Sequence, residues 1–499
     1  MNALDRLTGR LPMYRLVTLA LLVLLAASLL LSATGQLFYS PLAILASAAV
    51  TTGVCWGATR LLGIAFRVRP HDESAVITGL ILFFLFLPTL DPAGLSVLAF
   101  AGAVAAASKF LLAWRGRHLF NPAAVAAVIV GLTGLGASGW WVATPPLAPL
   151  VAVLGLLILQ RTRLLGVGLV FTVVATLLIA GLLTGFGVAP LPALGSALGS
   201  YPILFLAAFL LPEPLTLPPL RWQRIVVASI MAGAFALPLA VDFRVGTFGL
   251  SSELAVVLGN LVALVLARPV GARLRFDGRR EVAPGTEEFS FRADREVPMR
   301  PGQYVELDLP HAGPDRRGTR RHLTAVGARE GHVRGAVRLP ETGSSFKRAL
   351  AALEPGDPVR LTSVAGDFLL PWNQATPVLL VAGGIGVTPF VAQLEGDAER
   401  GVERRVAVVY RAPSLEAAAY LDRLAALADS VTLVTPTPPE PMPRRVHCAA
   451  DLAEALAEIE DRGKRTAYVS GSPSFVARAR AELRKAGVRR IRTDRFSGY

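Results

Sequence analysis

PVLLVAGGIGVTP, residues 377–389, is the stretch of sequence that decides the fold of the second half of this chain. Its apolar start, residues 377–382, predicts a buried strand, and its three glycines predict a tight turn before a helix. Glycines let backbone amides approach a pyrophosphate at a helix N-terminus, where the helix dipole favours anions. A glycine turn after a strand is by itself only a weak indication of nucleotide binding.

Further strands follow the turn, and they alternate with helical segments. They are predicted at residues 406–410, 431–434 and 466–469, which indicates a parallel sheet within residues 373–499. A second turn, Ser470-Gly471-Ser472-Pro473, follows the last of them. Ligands of such sheets lie beyond the carboxyl ends of the strands, so both turns are expected at one site.

The residues before this sheet predict a different kind of domain. Short alternating strands around Phe289, Phe291 and Tyr304 are broken by Pro301-Gly302, a pattern typical of a small antiparallel barrel. We therefore predict a β-barrel over residues 271–372, followed by an α/β domain over residues 373–499.

The composition divides the chain near residue 270. Hydrophobic residues make up 53% of the chain and charged residues 17%, with a mean hydropathy of +0.52, values too apolar for one soluble domain. Only 15 of the 50 Lys and Arg residues and 7 of the 36 Asp and Glu residues lie in residues 1–270. This predicts a lipid-soluble domain over residues 1–270 and excludes a disordered, collagen-like or coiled-coil chain.

Cysteine and histidine usage excludes several redox centres. Cys55 and Cys448 are too few for a protein-ligated iron–sulfur cluster, and no protein-bound metal is predicted. His71 and His118 lie outside the apolar runs, so a transmembrane haem with paired histidines is not expected. The basic pI of about 10.6 does not predict nucleic-acid binding, because membrane topology explains much of the excess charge.

Ten apolar segments predict an α-helical domain with about ten spans. Arginines fall on alternate loops, which predicts that both termini are cytoplasmic in a multi-pass protein of a bacterial-type inner membrane. The first segment is too long for a signal peptide and is interpreted as a retained anchor. The segments cover residues 16–34, 41–62, 75–87, 93–114, 121–138, 143–160, 164–185, 201–211, 225–241 and 252–267.

Segments three and eight are short, are bounded by proline, and take the same place in each set of five. This predicts an inverted repeat, whose interrupted segments indicate a binding site near the membrane midplane. The alternative is that both are ordinary helices with a poor sequence signal. Lys109 is either a functional charge in segment four or a residue that reaches the cytoplasmic surface.

The membrane half resembles the B subunit of the sodium-pumping NADH:quinone reductase and the D subunit of the Rnf electron-transport complex. The resemblance rests on SAVITG at 74–79, GRHLFNPAA at 116–124 and EPLTLP at 213–218. It implies FMN bound through a phosphoester to Thr144, although the residues before Ala143 depart from the family's pattern. The alternative is that Thr144 only begins a helix beside an interfacial pair, Trp140 and Trp141.

The remainder resembles the ferredoxin–NADP reductase family over about residues 273–499. Seven motifs occur in order: RPGQY at 300–304, RHLT at 321–324, LEPGD at 353–357, GDF at 366–368, GGIGVTP at 383–389, SGSP at 470–473 and TDRF at 493–496. This resemblance implies FAD in the barrel and NADH or NADPH on the sheet.

The resemblance also implies a role for particular residues. Arg321 would pair with the flavin phosphate, Thr324 would hydrogen-bond the reactive edge of the ring, and Leu323 stands where relatives have an aromatic residue. Ser470, Asp494 and Phe496 would lie at the reacting atoms, with Phe496 stacked over the flavin. The full set of cofactor-binding residues expected is Arg321, His322, Leu323, Thr324, Gly343, Ser344, Ser345, Gly383, Gly384, Gly386, Thr388, Pro389, Arg411, Gly471, Ser472, Pro473 and Phe496.

These features together predict a membrane flavoprotein that passes electrons from NAD(P)H through FAD into or across the membrane. The acceptor expected is a quinone, a membrane flavin or an exported flavoprotein. One alternative is a redox-coupled cation transporter, disfavoured because no chain of intramembrane carboxylates is apparent. Another is a ferredoxin or flavin reductase that the membrane half only anchors.

Overall fold

The computed structural model describes residues 13–68, 70–114, 117–213, 215–245, 248–267, 270–315, 318–329, 331–339, 343–436 and 444–496. The chain forms two compact units. The N-terminal unit comprises Asn2–Pro269, and the C-terminal unit begins at Val270.

The N-terminal unit is helical. Its helices are α1 Met13–Ala33, α2 Pro41–Ala65, α3 Asp72–Leu85, α4 Pro92–Leu111, α5 Pro122–Thr133, α6 Ala148–Arg161, α7 Leu165–Gly185, α8 Pro190–Ser200, α9 Ile203–Phe205, α10 Arg221–Ala240 and α11 Ser252–Leu266. The chain continues from α9 into a π-helical turn, Leu206–Leu210. Two hairpins join β1 Ala113–Trp114 to β2 Arg117–His118 and β3 Arg244–Val245 to β4 Phe248–Gly249.

Within the described residues, five helices are long and apolar enough to cross a membrane: α1, α2, α4, α7 and α10. A sixth span results if α8 and the segment Ile203–Leu210, which are bent by 51°, count as one. Helix α8 was missing from the sequence prediction, because its prolines and glycines resemble those of a loop. The ten-span arrangement stays a prediction.

Small residues let the helices of the N-terminal unit pack closely. A Cβ atom on Gly79 of α3 would lie 2.5 Å from the Thr52 Cα of α2. A Cβ on Gly102 of α4 would lie 3.1 Å from the carbonyl oxygen of Thr51, which is also in α2. Such contacts between backbones are typical of helix packing in membranes, where small side chains allow close approach.

The C-terminal unit begins with a closed antiparallel barrel, as predicted. Its strands are β5 Ala272–Ala283, β6 Thr286–Ala293, β7 Tyr304–Asp308, β8 Arg320–Arg329, β9 His332–Arg338 and β10 Pro358–Ala365, in the order β10-β5-β6-β9-β8-β7. A short helix, α12 Ser345–Ala351, lies between β9 and β10. The three rings of Phe276, Phe289 and Phe291 pack inside the barrel.

A parallel six-stranded sheet with helices follows the barrel, which also confirms the prediction. The strand order is β14-β13-β12-β11-β15-β16. The elements are β11 Val378–Gly383, α13 Thr388–Glu399, β12 Val406–Arg411, α14 Leu421–Leu427, β13 Ser430–Val434, β14 Val446–Ala449, α15 Leu452–Ala457, β15 Thr466–Gly471, α16 Pro473–Lys485 and β16 Ile491–Arg495.

One face of the sheet packs against the outside of the barrel. The sheet residues Ala382, Tyr410 and Tyr468 share an apolar cluster with the barrel residues Val326 and Ala336. The other face, with Val381 and Val469, packs on α15 and α16. Because side chains alternate along a strand, this contact identifies which sheet residues point toward the barrel.

Candidate functional site

The two glycine turns lie side by side at the carboxyl edge of the sheet. In the strand register, Ala382 of β11 is opposite Ser470 of β15, and Ser470 is opposite Asp494 of β16. On the other side, Gly383 is opposite Arg411 of β12. The structure therefore brings together residues that are more than 100 positions apart in sequence.

Glycine is required where the turns approach each other. A Cβ atom on Gly386 would lie 2.5 Å from the Ser470 carbonyl oxygen and 2.7 Å from the Gly471 nitrogen. A Cβ on Gly383 would lie 2.7 Å from the Phe475 ring. Gly384, the first residue of the 3-10 turn Gly384–Val387, has a φ of +55°, which favours glycine. A side chain at Gly386 would therefore push the two turns apart, whereas Gly384 has open space at its Cβ position and requires glycine only for its φ.

The Ser470 side chain is a buried polar group without a partner. It is 0% exposed, and its Oγ forms no hydrogen bond with any described residue. Alternation along β15 places it on the same face as Tyr468, which is the face toward the barrel. A buried hydroxyl that lacks a protein partner costs free energy, so this hydroxyl, between the two glycine turns, is a candidate contact for a polar ligand.

The other residues predicted for the nucleotide lie around this hydroxyl in different ways. The Phe496 amide donates to the Gly471 carbonyl at 2.9 Å, which holds this partly buried residue beside the second turn. Thr388 is buried, and its hydroxyl donates to the Ile385 carbonyl at 3.0 Å, so it stabilises the turn itself. Pro389 is buried in the first turn of α13, and Arg411 is exposed.

Ser472 and Pro473 begin helix α16. The Ser472 hydroxyl accepts a hydrogen bond from the Phe475 amide at 3.3 Å and thereby caps the helix. Asp494 accepts a hydrogen bond from the Arg495 amide at 2.9 Å. These contacts fix the backbone of the second turn and of the strand end next to it.

Two segments predicted to bind FAD phosphate meet in the barrel. The buried Arg321 guanidinium pairs through Nη2 with Asp315 at 3.0 Å and lies 5.4 Å from the centre of the Phe346 ring. The Asp315 amide donates to the Ser345 hydroxyl at 2.9 Å. Ser344 caps α12, and the Gly343 carbonyl accepts from Arg348 at 2.6 Å. Arg321 and residues 343–345 thus form one connected group.

The other predicted flavin residues lie on opposite faces of strand β8. Leu323 lies in the barrel core with Val305 and Val333, whereas Thr324 alternates to the outer face that also carries Val326. This position does not support Leu323 as a cofactor-binding residue, because its side chain packs into the barrel core. His322 is half exposed and lies 3.8 Å from Glu306.

In the N-terminal unit, segments three and eight do come together. Phe84 of α3 and Phe205 of α9 have ring centres 5.6 Å apart, and Phe84 also lies 5.4 Å from Trp141. Phe205 stacks on Phe209 at 4.7 Å. These buried rings occupy the contact where the repeat predicted a flavin, so the residues present do not fit a bound ring between them.

Thr144 does not present its hydroxyl for covalent attachment. It lies four residues before α6, and its Oγ1 is buried and forms no hydrogen bond with a described residue. The neighbouring tryptophans are buried, not interfacial as expected. The Trp140 indole donates to Glu253 at 3.1 Å and the Trp141 indole donates to the Phe83 carbonyl at 2.7 Å. A phosphoester at Thr144 would require this loop to open.

Sequence reasoning missed one buried carboxylate in the N-terminal unit, Glu253, and left the partners of Glu213 and Lys109 open. Glu253, in the first turn of α11, is 4% exposed and also accepts from Ser138 at 2.7 Å. Glu213 lies 3.2 Å from the His118 ring nitrogen. Lys109 does not extend to the surface, since its ammonium donates to the Ser74 carbonyl at 2.9 Å. A polar residue near a helix end was the only available signal.

Known proteins similar to this chain include flavohemoproteins, an electron transfer component of a dioxygenase and a ferredoxin–NADP reductase. The toluate 1,2-dioxygenase electron transfer component of Pseudomonas putida is 37% identical over 130 residues, which are 26% of this chain and 37% of that protein. Ferredoxin–NADP reductase B of Sorangium cellulosum is 31% identical over 168 residues, which are 33% of this chain and 67% of that protein.

A solved structure of a ferredoxin NADP+ reductase from Neisseria gonorrhoeae with bound FAD and NADP is 18% identical to this chain, with a TM-score of 0.38. The alignment covers 45% of this chain and 98% of that one. No family model matches the chain. The chain spans about a third of the length of several curated relatives that it matches, the toluate dioxygenase component among them.

Proposed function

Because the C-terminal half of this chain belongs to the ferredoxin–NADP reductase family, we propose that the protein is a membrane-bound, flavin-dependent NAD(P)H oxidoreductase. In this proposal electrons pass from cytoplasmic NADH or NADPH through FAD into or across the membrane. The observation that carries the proposal is the unpartnered Ser470 hydroxyl, buried between two glycine turns on the sheet face toward the barrel.

The barrel residues fit FAD. Bound FAD accepts two electrons as a hydride and releases electrons singly, which suits transfer from NAD(P)H to a one-electron carrier. Arg321 supplies a fixed, buried guanidinium for a phosphate, and Ser345 adds a hydroxyl that Asp315 connects to it. Thr324 offers a hydroxyl on the outer face of β8, toward the sheet.

The sheet residues fit NADH or NADPH. Gly383, Gly384 and Gly386 keep side chains away from the backbone amides of the first turn, so a pyrophosphate has access to them. Ser470 offers its hydroxyl to a polar group of the nicotinamide, and Asp494 lies beside it in the register. Phe496, held by Gly471, would cover the flavin until nicotinamide displaces it.

The proposal places the electron acceptor in or across the membrane. Long apolar helices and the alternation of arginines between loops support a multi-pass protein of a bacterial-type inner membrane with both termini in the cytoplasm. The proposed acceptor is a quinone, a flavin of the membrane domain, an exported flavoprotein or a ferredoxin. The aromatic contact between α3 and α9 and the buried Thr144 hydroxyl argue against a flavin at those two places.

Two other functions predict different results. A redox-coupled cation transporter predicts turnover in liposomes that depends on sodium, and the partly buried Glu213 and the buried Glu253 are the carboxylates to test. An anchored ferredoxin or flavin reductase predicts that turnover with the physiological acceptor does not require the N-terminal unit. Neither has a specific observation in its favour beyond those that support the main proposal.

The proposal is tested on the full-length protein purified in detergent. The flavins per chain are counted, and their bleaching by anaerobic NADH or NADPH is measured. FAD together with a second flavin, both bleached, supports electron transfer into the membrane half. FAD alone, fully reduced, favours a quinone or an anchored reductase. A chain that holds no FAD, or holds FAD that neither nucleotide reduces, would refute the proposal.

A further inference from the structure

A buried carboxylate on the outside of the barrel meets the sheet domain. Successive side chains of β6 point to opposite faces of the strand. Phe289 points into the barrel core, so its neighbour Glu288 points outward. Glu288 is nevertheless only 6% exposed, because residues of the sheet domain cover it. Burial of a charge is costly unless several groups hydrogen-bond to it, so the partners of this carboxylate are informative.

The partners of Glu288 come from both domains. Its Oε1 accepts from Arg280 of the adjacent strand β5 at 3.0 Å. Its Oε2 accepts from the Tyr420 hydroxyl at 2.7 Å and lies 3.8 Å from the Arg423 guanidinium. Burial, and after it the neighbouring carboxylate, raises the pKa of Tyr420, so its hydroxyl remains a donor at every physiological pH.

The backbone at Tyr420 is held in an unusual conformation. Its φ is +62°, in the left-handed region that a tyrosine seldom adopts, and it immediately precedes α14. The Arg423 guanidinium stacks 5.0 Å from the centre of the Tyr420 ring. Strain of this kind persists where surrounding contacts impose it, and it is often found at functional sites.

The network continues to the helix that follows the first glycine turn. Arg423 also pairs with Glu395, near the end of α13, and α13 begins at Thr388 directly after that turn. A second contact supports the same helix, because the Gln393 side chain accepts from the Leu370 amide at 2.6 Å. The path from Glu288 to the turn thus runs through Tyr420, Arg423 and α13.

Hydride transfer places a strict demand on this interface. The reacting atoms must approach within about 3–3.5 Å, and a misplacement of about 1 Å lowers the rate by about a hundredfold. If the proposed function holds, one cofactor is held by the barrel and the other by the sheet. The contacts between the two domains then set the distance between the cofactors.

We propose that Glu288 and Tyr420 are positioning residues for hydride transfer, which fix the sheet domain against the barrel through one buried hydrogen bond. The inference rests on the proposed function. Neither residue is part of the family motifs in the sequence. Their role is to hold the first glycine turn, through α13, at the separation from the barrel that the reaction requires.

The experiment is single-turnover reduction of the full-length protein's FAD at increasing NADH and NADPH concentration. Tyr420→Phe removes only the hydroxyl, and we expect the limiting rate of flavin bleaching to fall about tenfold. The apparent Kd for the nucleotide and the FAD content per chain should stay within about twofold of the wild type. Glu288→Gln, which keeps an acceptor for the hydroxyl, should lower the limiting rate less than Tyr420→Phe does.

Thr432→Val is the matched control. It removes a buried side-chain hydroxyl of β13 in the same unit, on the sheet face that points away from the barrel. Its limiting rate should equal that of the wild type. The double variant Tyr420→Phe with Glu288→Gln should be slower than Tyr420→Phe by less than the full effect of Glu288→Gln alone, because the two changes share one bond, whereas only Glu288→Gln also alters the contacts with Arg280 and Arg423.

The outcomes separate this inference from the proposed function. Wild-type FAD that neither nucleotide bleaches refutes both. Wild-type bleaching with an unchanged limiting rate in Tyr420→Phe overturns the positioning role alone. The same holds if Tyr420→Phe lowers only the Tm or the FAD content, since that result describes a purely structural contact.

Discussion

At the scale of single residues, the candidate site is defined by a side chain that stabilises nothing in the protein itself. Ser470 has a buried hydroxyl without a partner, whereas most buried polar groups of proteins are hydrogen-bonded. Arg321, by contrast, is held by Asp315, Gly318 and Arg320. Under the proposed function, the first residue has a hydroxyl available for a ligand, and the second is already held in place for one.

We therefore expect Ser470→Ala to separate stability from activity. The variant should have an unchanged or slightly higher free energy of unfolding, by up to about 1 kcal/mol, because it removes an unsatisfied group. Nucleotide-dependent flavin reduction should fall by about three- to tenfold, the value of one hydrogen bond. Thermal unfolding and stopped-flow absorbance measure the two effects. Ser430→Ala, at the opposite end of the sheet, is the control, and a marked loss of stability in Ser470→Ala would contradict the interpretation.

At the scale of elements, the site depends on how closely the two turns approach each other. Three strand ends, those of β11, β15 and β16, contribute to it, and the register alone aligns Ala382, Ser470 and Asp494. If Glu288 and Tyr420 have the proposed positioning role, α13 and the barrel strand β6 determine where this edge lies relative to the barrel. Each element contributes backbone geometry as much as side chains.

Gly386→Ala tests the approach of the turns. The added methyl group would lie 2.5 Å from the Ser470 carbonyl oxygen and must displace backbone. We expect a loss of about 1–3 kcal/mol of unfolding free energy and a weaker apparent affinity for NAD(P)H. Gly463→Ala is the control, because the nearest atom to its Cβ would be 3.7 Å away. Equal stability and affinity in the two variants would show that the turns are not in close contact.

An ion pair at the amino edge of the sheet predicts that the stability of the C-terminal unit depends on pH. The Arg465 side chain donates to Asp461 at 2.5 Å and, with Arg405, lowers the pKa of that carboxyl. A carboxyl whose folded-state pKa is depressed adds stability above its unfolded pKa and loses it as the pH falls through the folded value.

Wild type should therefore exceed Asp461→Asn in unfolding free energy by about 1 kcal/mol at pH 7. The difference should shrink as the pH falls below about 3.9. Thermal unfolding across pH 3–7 measures it, and Glu403→Gln, which removes an exposed carboxylate before β12, is the control. A difference that does not vary with pH would mean that the Asp461 charge is not the cause.

At the scale of the whole molecule, the two units differ in the apolar surface that they expose. Large apolar side chains are exposed throughout the helices of the N-terminal unit. In the described part of the C-terminal unit, Trp372 is the only large apolar side chain that is exposed. Exposed apolar surface on this scale is typical of contact with lipid. The proposal that electrons enter the membrane depends on this division.

Topology reporters test the division directly. A fluorescent protein fused after Tyr499 should fluoresce, and alkaline phosphatase at the same place should be inactive, because the C-terminus is expected in the cytoplasm. Alkaline phosphatase inserted after Gly136, in the loop between α5 and α6, should be active. Phosphatase activity at the C-terminus, or its absence at residue 136, would contradict the predicted orientation.

The sequence by itself determined the class of each half. Residues 377–389 predicted a strand, a turn and a helix because local periodicity and glycine chemistry depend only on neighbours in the chain. The change of composition near residue 270 separated an apolar half from a charged one for the same reason. The motifs identified Gly383, Ser470 and Phe496 as residues of one site before their positions were known.

Only the tertiary structure decided which faces meet. Glu288 and Tyr420 are 132 positions apart, and Glu253 and Trp140 are 113 apart, so no local pattern relates them. The inward position of Leu323 and the burial of both tryptophans likewise depend on what covers each strand or loop. A side chain's neighbours across the fold determine whether it is exposed, paired or left without a partner, and a one-dimensional pattern does not contain that information.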